Sequence, residues 1–202
     1  MKKTTHAAEQ QRPDVKAARQ RWRKAQPALD SARLVFIDET GLNTKMARRY
    51  GRCPRSRRCL ARIPHGHWQS STFIAALRAE KITAPFLIEG AVNAEVFTAY
   101  LEKVLCPELR PGDIVILDNL STHKVAGGSA LITACGASVR YLPPHSPDLN
   151  PIEMAFAKLK AHLRHAGART LGDLQNAVVS ALASFQPQHC QGFFRHAQYA
   201  SI

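Results

Sequence analysis

Residues 138–165, SVRYLPPHSPDLNPIEMAFAKLKAHLRH, constrain the fold more than any other stretch of the chain. Val139–Leu142 reads as a short strand that stops at Pro143-Pro144, because proline cannot donate to a sheet ladder. Ser146-Pro147, Asp148 and Asn150-Pro151 then give three further turn signals. Asn150 stands at the N-cap position with Pro151 at the first helical residue, where a missing N–H leaves nothing unsatisfied. The following helix has Ile152, Phe156, Leu159 and Leu163 on one face and Lys158, Lys160 and Arg164 largely on the other. Glu153 therefore sits in a first helical turn directly after a rigid loop. A carboxylate there has two readings: a surface acid that complements the helix dipole, or a member of a site.

Two further acids stand in matching places. Asp38 ends the apolar run Leu34-Val35-Phe36-Ile37, and Asp118 ends Ile114-Val115-Ile116-Leu117. Such runs read as buried strands. An acid at the end of each, with one at a helix start, brings three carboxylates toward one edge of a sheet.

Charge narrows the partner. The chain carries a net +13, all of it in two segments. Residues 1–30 have eight Lys/Arg against three acids, and residues 45–62 have eight Lys/Arg and no acid. A solubilising surface intersperses both signs, whereas an Arg-dominated excess suits bidentate contact with phosphates. Nucleic acid is the indicated partner. No apolar run reaches the length of a membrane span, and five irregularly spaced Cys do not form a disulfide framework. A cytoplasmic setting without membrane contact is expected.

In chain order, residues 1–30 contain a helix from about Asp14 to Ala25, with Trp22 as its only large apolar anchor, so this segment is not expected to fold alone. A strand ends at Asp38 and a turn follows through Gly41. Ser71–Leu77 and Ile82–Glu89 are strands, the second bent or at an edge because of Pro85. Asn93 caps a helix reaching about Leu105. A helix after Asp118 runs to Cys135 with Gly127-Gly128 inside it, which loosens or shortens it. Gly167 ends the Glu153 helix, Thr170 starts another, and the segment from Pro187 has no clear assignment.

These motifs resemble the DDE transposases of the mariner-like superfamily, specifically its bacterial insertion-sequence branch. The resemblance runs through FIDETG at 36–41, RRYG at 48–51, PHGHW at 64–68, LRPGDIVILDN at 109–119 and YLPPHSPDLNPIE at 141–153. The 34 residues between Asp118 and Glu153 fit the same pattern. It implies an α/β, ribonuclease H-like fold with a mixed central sheet flanked by helices. The implied domains are a basic helical linker at 1–30, remaining from an N-terminal DNA-binding region, a catalytic domain at 31–185, and a C-terminal tail at 186–202. The implied activity is metal-dependent cleavage of double-stranded DNA at the terminal inverted repeats of an insertion sequence, with strand transfer into target DNA by a homodimer, in the bacterial cytoplasm at the nucleoid.

Three carboxylates can hold two Mg²⁺ or Mn²⁺ ions, which favour hard oxygen ligands, one ion for the attacking and one for the leaving oxygen. The resemblance makes Asp38, Asp118 and Glu153 the catalytic metal ligands, with Asp38 bridging. Asn119 and His123 are candidates for supporting those ligands or touching DNA. Arg48, Arg49, Arg52, Arg55, Arg57, Arg58 and His67 are the candidate DNA contacts. Glu39 points to the opposite face of its strand and has a supporting role at most. Asp148 is either a fourth acid or a turn former. Cys53, Cys59, His65 and His67 offer a weaker alternative, a zinc site, with spacing wider than structural zinc prefers. Two other functions fit parts of the pattern: a truncated, non-catalytic DNA-binding remnant of a transposase, and a ribonuclease H-like nuclease acting on RNA or repair intermediates.

Overall fold

A computed structural model describes residues 8–48, 51–60, 62–63, 67–118 and 127–199. Within them five strands form one mixed sheet: β1 (Leu34–Asn43), β2 (Ser70–Leu77), β3 (Ile82–Glu89), β4 (Ile114–Leu117) and β5 (Ser138–Tyr141). Their order across the sheet is β3-β2-β1-β4-β5. The first three form an antiparallel meander, while β4 and β5 run parallel to β1. Around the sheet lie the helices α1 (Pro13–Ala25), α2 (Ala94–Tyr100), α3 (Gly128–Ala134), α4 (Pro151–Ala166), α5 (Leu171–Ala183) and α6 (Pro187–His196).

The alternation of β1 divides the apolar residues between two cores. Leu34, Phe36 and Leu42 pack with Phe73, Ile116 and the buried faces of α4, α5 and α6. Val35 and Ile37 pack with Ile74, Val115, Leu117, Phe97, Tyr100 and Ile132 on the opposite side. Both faces of β4 and of the first half of β1 are covered, which is why Leu34–Ile37 and Ile114–Leu117 are continuously apolar, whereas the edge strand β5 alternates.

Several boundaries differ from the sequence expectation, each for a local reason. β1 does not stop at Asp38 but continues to Asn43, because β2 pairs with it along that whole length, from Phe36↔Leu77 to Asn43↔Ser70. The Asn93 helix is α-helical only to Tyr100 and widens into a π-helical turn over Leu101–Leu105. Gly127 (φ 98°) lies before α3 rather than inside it, so the glycine pair marks a helix start. β3 is an edge strand, and its register shifts opposite Ile74/Ala76, next to Pro85.

The segment from Pro187 is α6, with Cys190 and Phe194 buried. Phe36 meets the Phe194 ring edge-on at 5.4 Å and the Tyr199 ring at 4.9 Å. The N-terminal helix reaches the same place, where Trp22 Nε1 donates to the Tyr199 hydroxyl (3.1 Å) and Gln26 donates to the Ala197 carbonyl. Tyr199 in turn donates to the Leu149 carbonyl (2.9 Å), in the loop that leads into α4. The two ends of the described chain thus brace one loop, the loop that precedes Glu153.

Candidate active site

Asp38 belongs by parity to the side of β1 that carries Leu34 and Phe36, the side on which α4 packs. The parallel pairing of β1 with β4 runs from Leu34↔Ile114 to Ile37↔Leu117. Asp38 is the first residue of β1 past that pairing, and Asp118 is the first past the end of β4. Two parallel strands therefore end their ladder at a pair of acids, at the carboxyl end of the sheet where open α/β folds place ligands.

α4 starts opposite them. Asn150 occupies its N-cap position, and its backbone carbonyl accepts from Glu153 N–H (3.3 Å). From sequence, Asn150 is expected to cap the helix with its side chain. The structure corrects this: the side chain makes no capping hydrogen bond, and its amide donates instead to Asp38 Oδ2 (2.9 Å). The orientation that brings Nδ2 to a charged acceptor makes a strong bond but leaves Oδ1, the atom that would cap, without a bond to the helix N–H groups. The other Asp38 oxygen accepts from the Glu39 N–H (2.8 Å). Asn150 is only 3% exposed, and its Oδ1 is buried with no hydrogen-bond partner among the described residues.

Asp38, Asp118, Asn150 and Glu153 line one cleft of about 330 Å³, walled by the loop from Leu142 to Pro147. Asp38 is buried, Asp118 half-buried and Glu153 exposed. The three expected acids thus share a cavity. Their side chains are not drawn into a ligand cluster: among the described residues no three His, Cys, Asp or Glu stand close enough to hold a metal ion.

The loop wall is held from behind. His145 has a left-handed backbone (φ 54°), unusual for a residue with a Cβ. Its carbonyl accepts from Gln10 Nε2 (2.6 Å) and Arg19 Nη1 (3.4 Å). Arg19 also reaches Ser146 Oγ (2.7 Å) and forks onto both oxygens of Asp148 (2.9 and 2.7 Å). Burial pushes the Asp148 carboxyl upward, but the Arg19 bonds outweigh it and hold the group below the usual carboxylate range. Asp148 is therefore neither a fourth acid of the cleft nor only a turn former; it anchors the loop to α1.

The basic loop leaves β1 at Asn43 and returns at Ser70, at the same end of the sheet as the acids. Arg48, Arg52, Arg55, Arg57, Arg58 and His67 are all exposed there. Lys45 Nζ lies over the Trp68 ring, 4.5 Å from its centre. Arg49, Asn119, His123 and His65 lie outside the described residues. Cys53 and Cys59 are exposed thiols outside any disulfide, and Cys53 Sγ donates to the Arg57 carbonyl (2.9 Å).

Sequence reasoning missed two residues of this site. Asn150 was readable only as a cap, since nothing local shows that its amide meets an acid 112 residues away. Arg19 looked like one of many linker cations, although Val15, Arg19 and Trp22 recur at helical spacing and do form the packed face of α1.

The profile of a family described as DDE superfamily endonuclease matches residues 33–175, which include all three acids. No curated protein matches the chain in sequence. Among solved structures, a pre-cleavage Mos1 transpososome is 16% identical with a TM-score of 0.66, covering 98% of this chain and 63% of that one. The mariner Mos1 paired-end complex with Mg is 14% identical with a TM-score of 0.71, covering 100% and 68%. The isolated Mos1 transposase catalytic domain is 13% identical with a TM-score of 0.63, covering 98% and 91%. At such identities the likeness establishes the fold, which is ribonuclease H-like. The chain spans about 62–63% of the length of the first Mos1 complexes it matches.

Proposed function

The chain belongs to the DDE superfamily endonucleases, and from that premise we propose that it is the DNA transposase of a bacterial insertion sequence. It would cleave double-stranded DNA at the element's terminal inverted repeats and transfer the ends into target DNA, as a homodimer in the cytoplasm. The observation that carries this reading is the single cleft shared by Asp38, Asp118 and Glu153.

The donors in that cleft fit Mg²⁺ or Mn²⁺. They are carboxylates joined by a neutral amide oxygen, Asn150 Oδ1, that is buried without a partner among the described residues. All are hard oxygens of the kind these cations prefer. Asp38, Asp118 and Glu153 would hold two such ions. When bound, the ions supply positive charge to the attacking and leaving oxygens of phosphoryl transfer.

The chain's own residues set the geometry around that chemistry. Asp38 is fixed through both oxygens by Glu39 N–H and Asn150, so the most buried acid does not reorient. Glu153 is exposed on the first turn of α4, where its side chain has room to swing toward the other acids. The Ser146 hydroxyl donates to the Pro144 carbonyl (3.0 Å) while it accepts from Arg19, so it does not act as a nucleophile. In the proposed reaction the attacking oxygen would come from water for cleavage and from a DNA 3′ hydroxyl for transfer. Arg48, Arg49, Arg52, Arg55, Arg57, Arg58 and His67 would contact phosphates beside the cleft, with Asn119 and His123 serving the site after Asp118.

A second reading is a non-catalytic DNA-binding remnant that binds through the same basic segments. Nicking of an end-containing duplex with Mn²⁺, abolished by chelator, supports the transposase. DNA binding without nicking at any Mn²⁺ concentration supports the remnant.

A further inference from the structure

We propose that Asn150 is a positioning residue of the cation site, acting on both sides of its amide. The inference rests on the reading of the cleft as a divalent-cation site and assigns to that site a group that is not one of the three acids.

Three observations converge. Asn150 Nδ2 donates to Asp38 Oδ2 at 2.9 Å, which fixes a carboxylate that lines the cleft. Asn150 forgoes the capping bond that its position offers. Its Oδ1 is buried without a hydrogen bond among the described residues, and Asn150 is one of the residues that line the same cleft. A buried unpaired acceptor costs roughly 1–3 kcal/mol, so its persistence calls for a partner that binds later.

The cleft selects the chemistry of that partner. Beside three acids, the group that approaches Oδ1 carries positive charge or polarised hydrogens. A hydrated Mg²⁺ or Mn²⁺ offers both, because these ions retain several waters whose hydrogens are strong donors. Oδ1 accordingly accepts from the cation's hydration shell while Nδ2 holds Asp38. A single planar amide thereby ties the orientation of one carboxylate to the position of the ion's water. Outer partners of this type typically change metal affinity by about 10–100-fold. A cap or a core filler would not change it.

The test uses the full chain and Mn²⁺ alone, without DNA, with free Mn²⁺ followed by electron paramagnetic resonance. Asn150→Leu keeps the branched shape and removes both functions, whereas Asn150→Gln keeps the amide donor and acceptor on a longer arm. We expect Asn150→Leu to weaken Mn²⁺ binding at least about tenfold and Asn150→Gln to lose less. Equal affinity in wild type and Asn150→Leu overturns the inference and leaves the acidic site standing. No Mn²⁺ binding by wild type removes both. Should the variants not fold, the wild type answers alone: Mg²⁺ addition should shift the Asn150 side-chain amide signals in a ¹H–¹⁵N spectrum. Signals that stay fixed while Mg²⁺ binds overturn the assignment.

Discussion

Replacing Arg19 with methionine keeps the aliphatic stem on the packed face of α1 and removes the fork that holds the 145–148 loop. The Arg19 side chain is 11% exposed and Asp148 is 38% exposed. Breaking a fully buried pair costs about 3–5 kcal/mol, and an exposed one about 0.2–1 kcal/mol. Asp148 is open enough for solvent to screen much of its charge, and Arg23 remains 3.3 Å away as a substitute partner. The Ser146 bond is lost as well. The intermediate geometry gives about 1–2.5 kcal/mol, which lowers the melting temperature by roughly 3–8 °C for a chain of this size.

The pH dependence follows from the Asp148 carboxyl, whose folded-state pKa lies below its ordinary value of 3.8. A depressed carboxyl contributes stability that is present above the unfolded pKa and lost as pH falls through the folded one. The gap between wild type and Arg19→Met should be full at neutral pH and should narrow below about pH 4. Thermal melts by circular dichroism across that range measure it. An unchanged melting temperature at neutral pH, or a gap that widens in acid, would refute the idea that the α1 fork braces this loop.

Two other perturbations test separate parts of the account. Phe194→Ala removes a 1% exposed ring stacked edge-on against Phe36, and urea unfolding should show a loss of about 3–5 kcal/mol; a loss below about 1 kcal/mol would mean that α6 is not part of the core. Changing Arg55, Arg57 and Arg58 together to Gln should reduce the slope of log K against log salt for duplex DNA by roughly 0.9 for each phosphate no longer neutralised; an unchanged slope would show that the loop faces away from DNA.

The legible parts of the site were those with local chemical signatures. Apolar runs ending at Asp38 and Asp118 identified buried strands, because strands covered on both faces require continuous apolar sequence, and the two do pair side by side in parallel. Proline at 151 after a turn-rich loop identified the start of α4 and so the place of Glu153. The illegible parts depend on partners far apart in sequence. β1 runs past Asp38 only because β2 pairs with that extension. Asn150 abandons its cap for an acid on β1, and Arg19 becomes structural only when Asp148 is folded beside it. The α6 pattern of Cys190 and Phe194 is too short to read until Phe36 supplies the surface it covers.

Glu153→Gln removes the charge that a three-carboxylate site needs at the start of α4. The change retains volume and the start of α4, and the dipole interaction it removes is worth only about 0.3–1 kcal/mol, so the melting temperature should barely move. Nicking of an end-containing duplex in Mn²⁺, run beside a binding assay on the same duplex, separates chemistry from affinity. Glu153→Gln should bind like wild type and no longer cleave. A variant that cleaves as well as wild type would make Glu153 a surface acid at a helix start and contradict the three-carboxylate site.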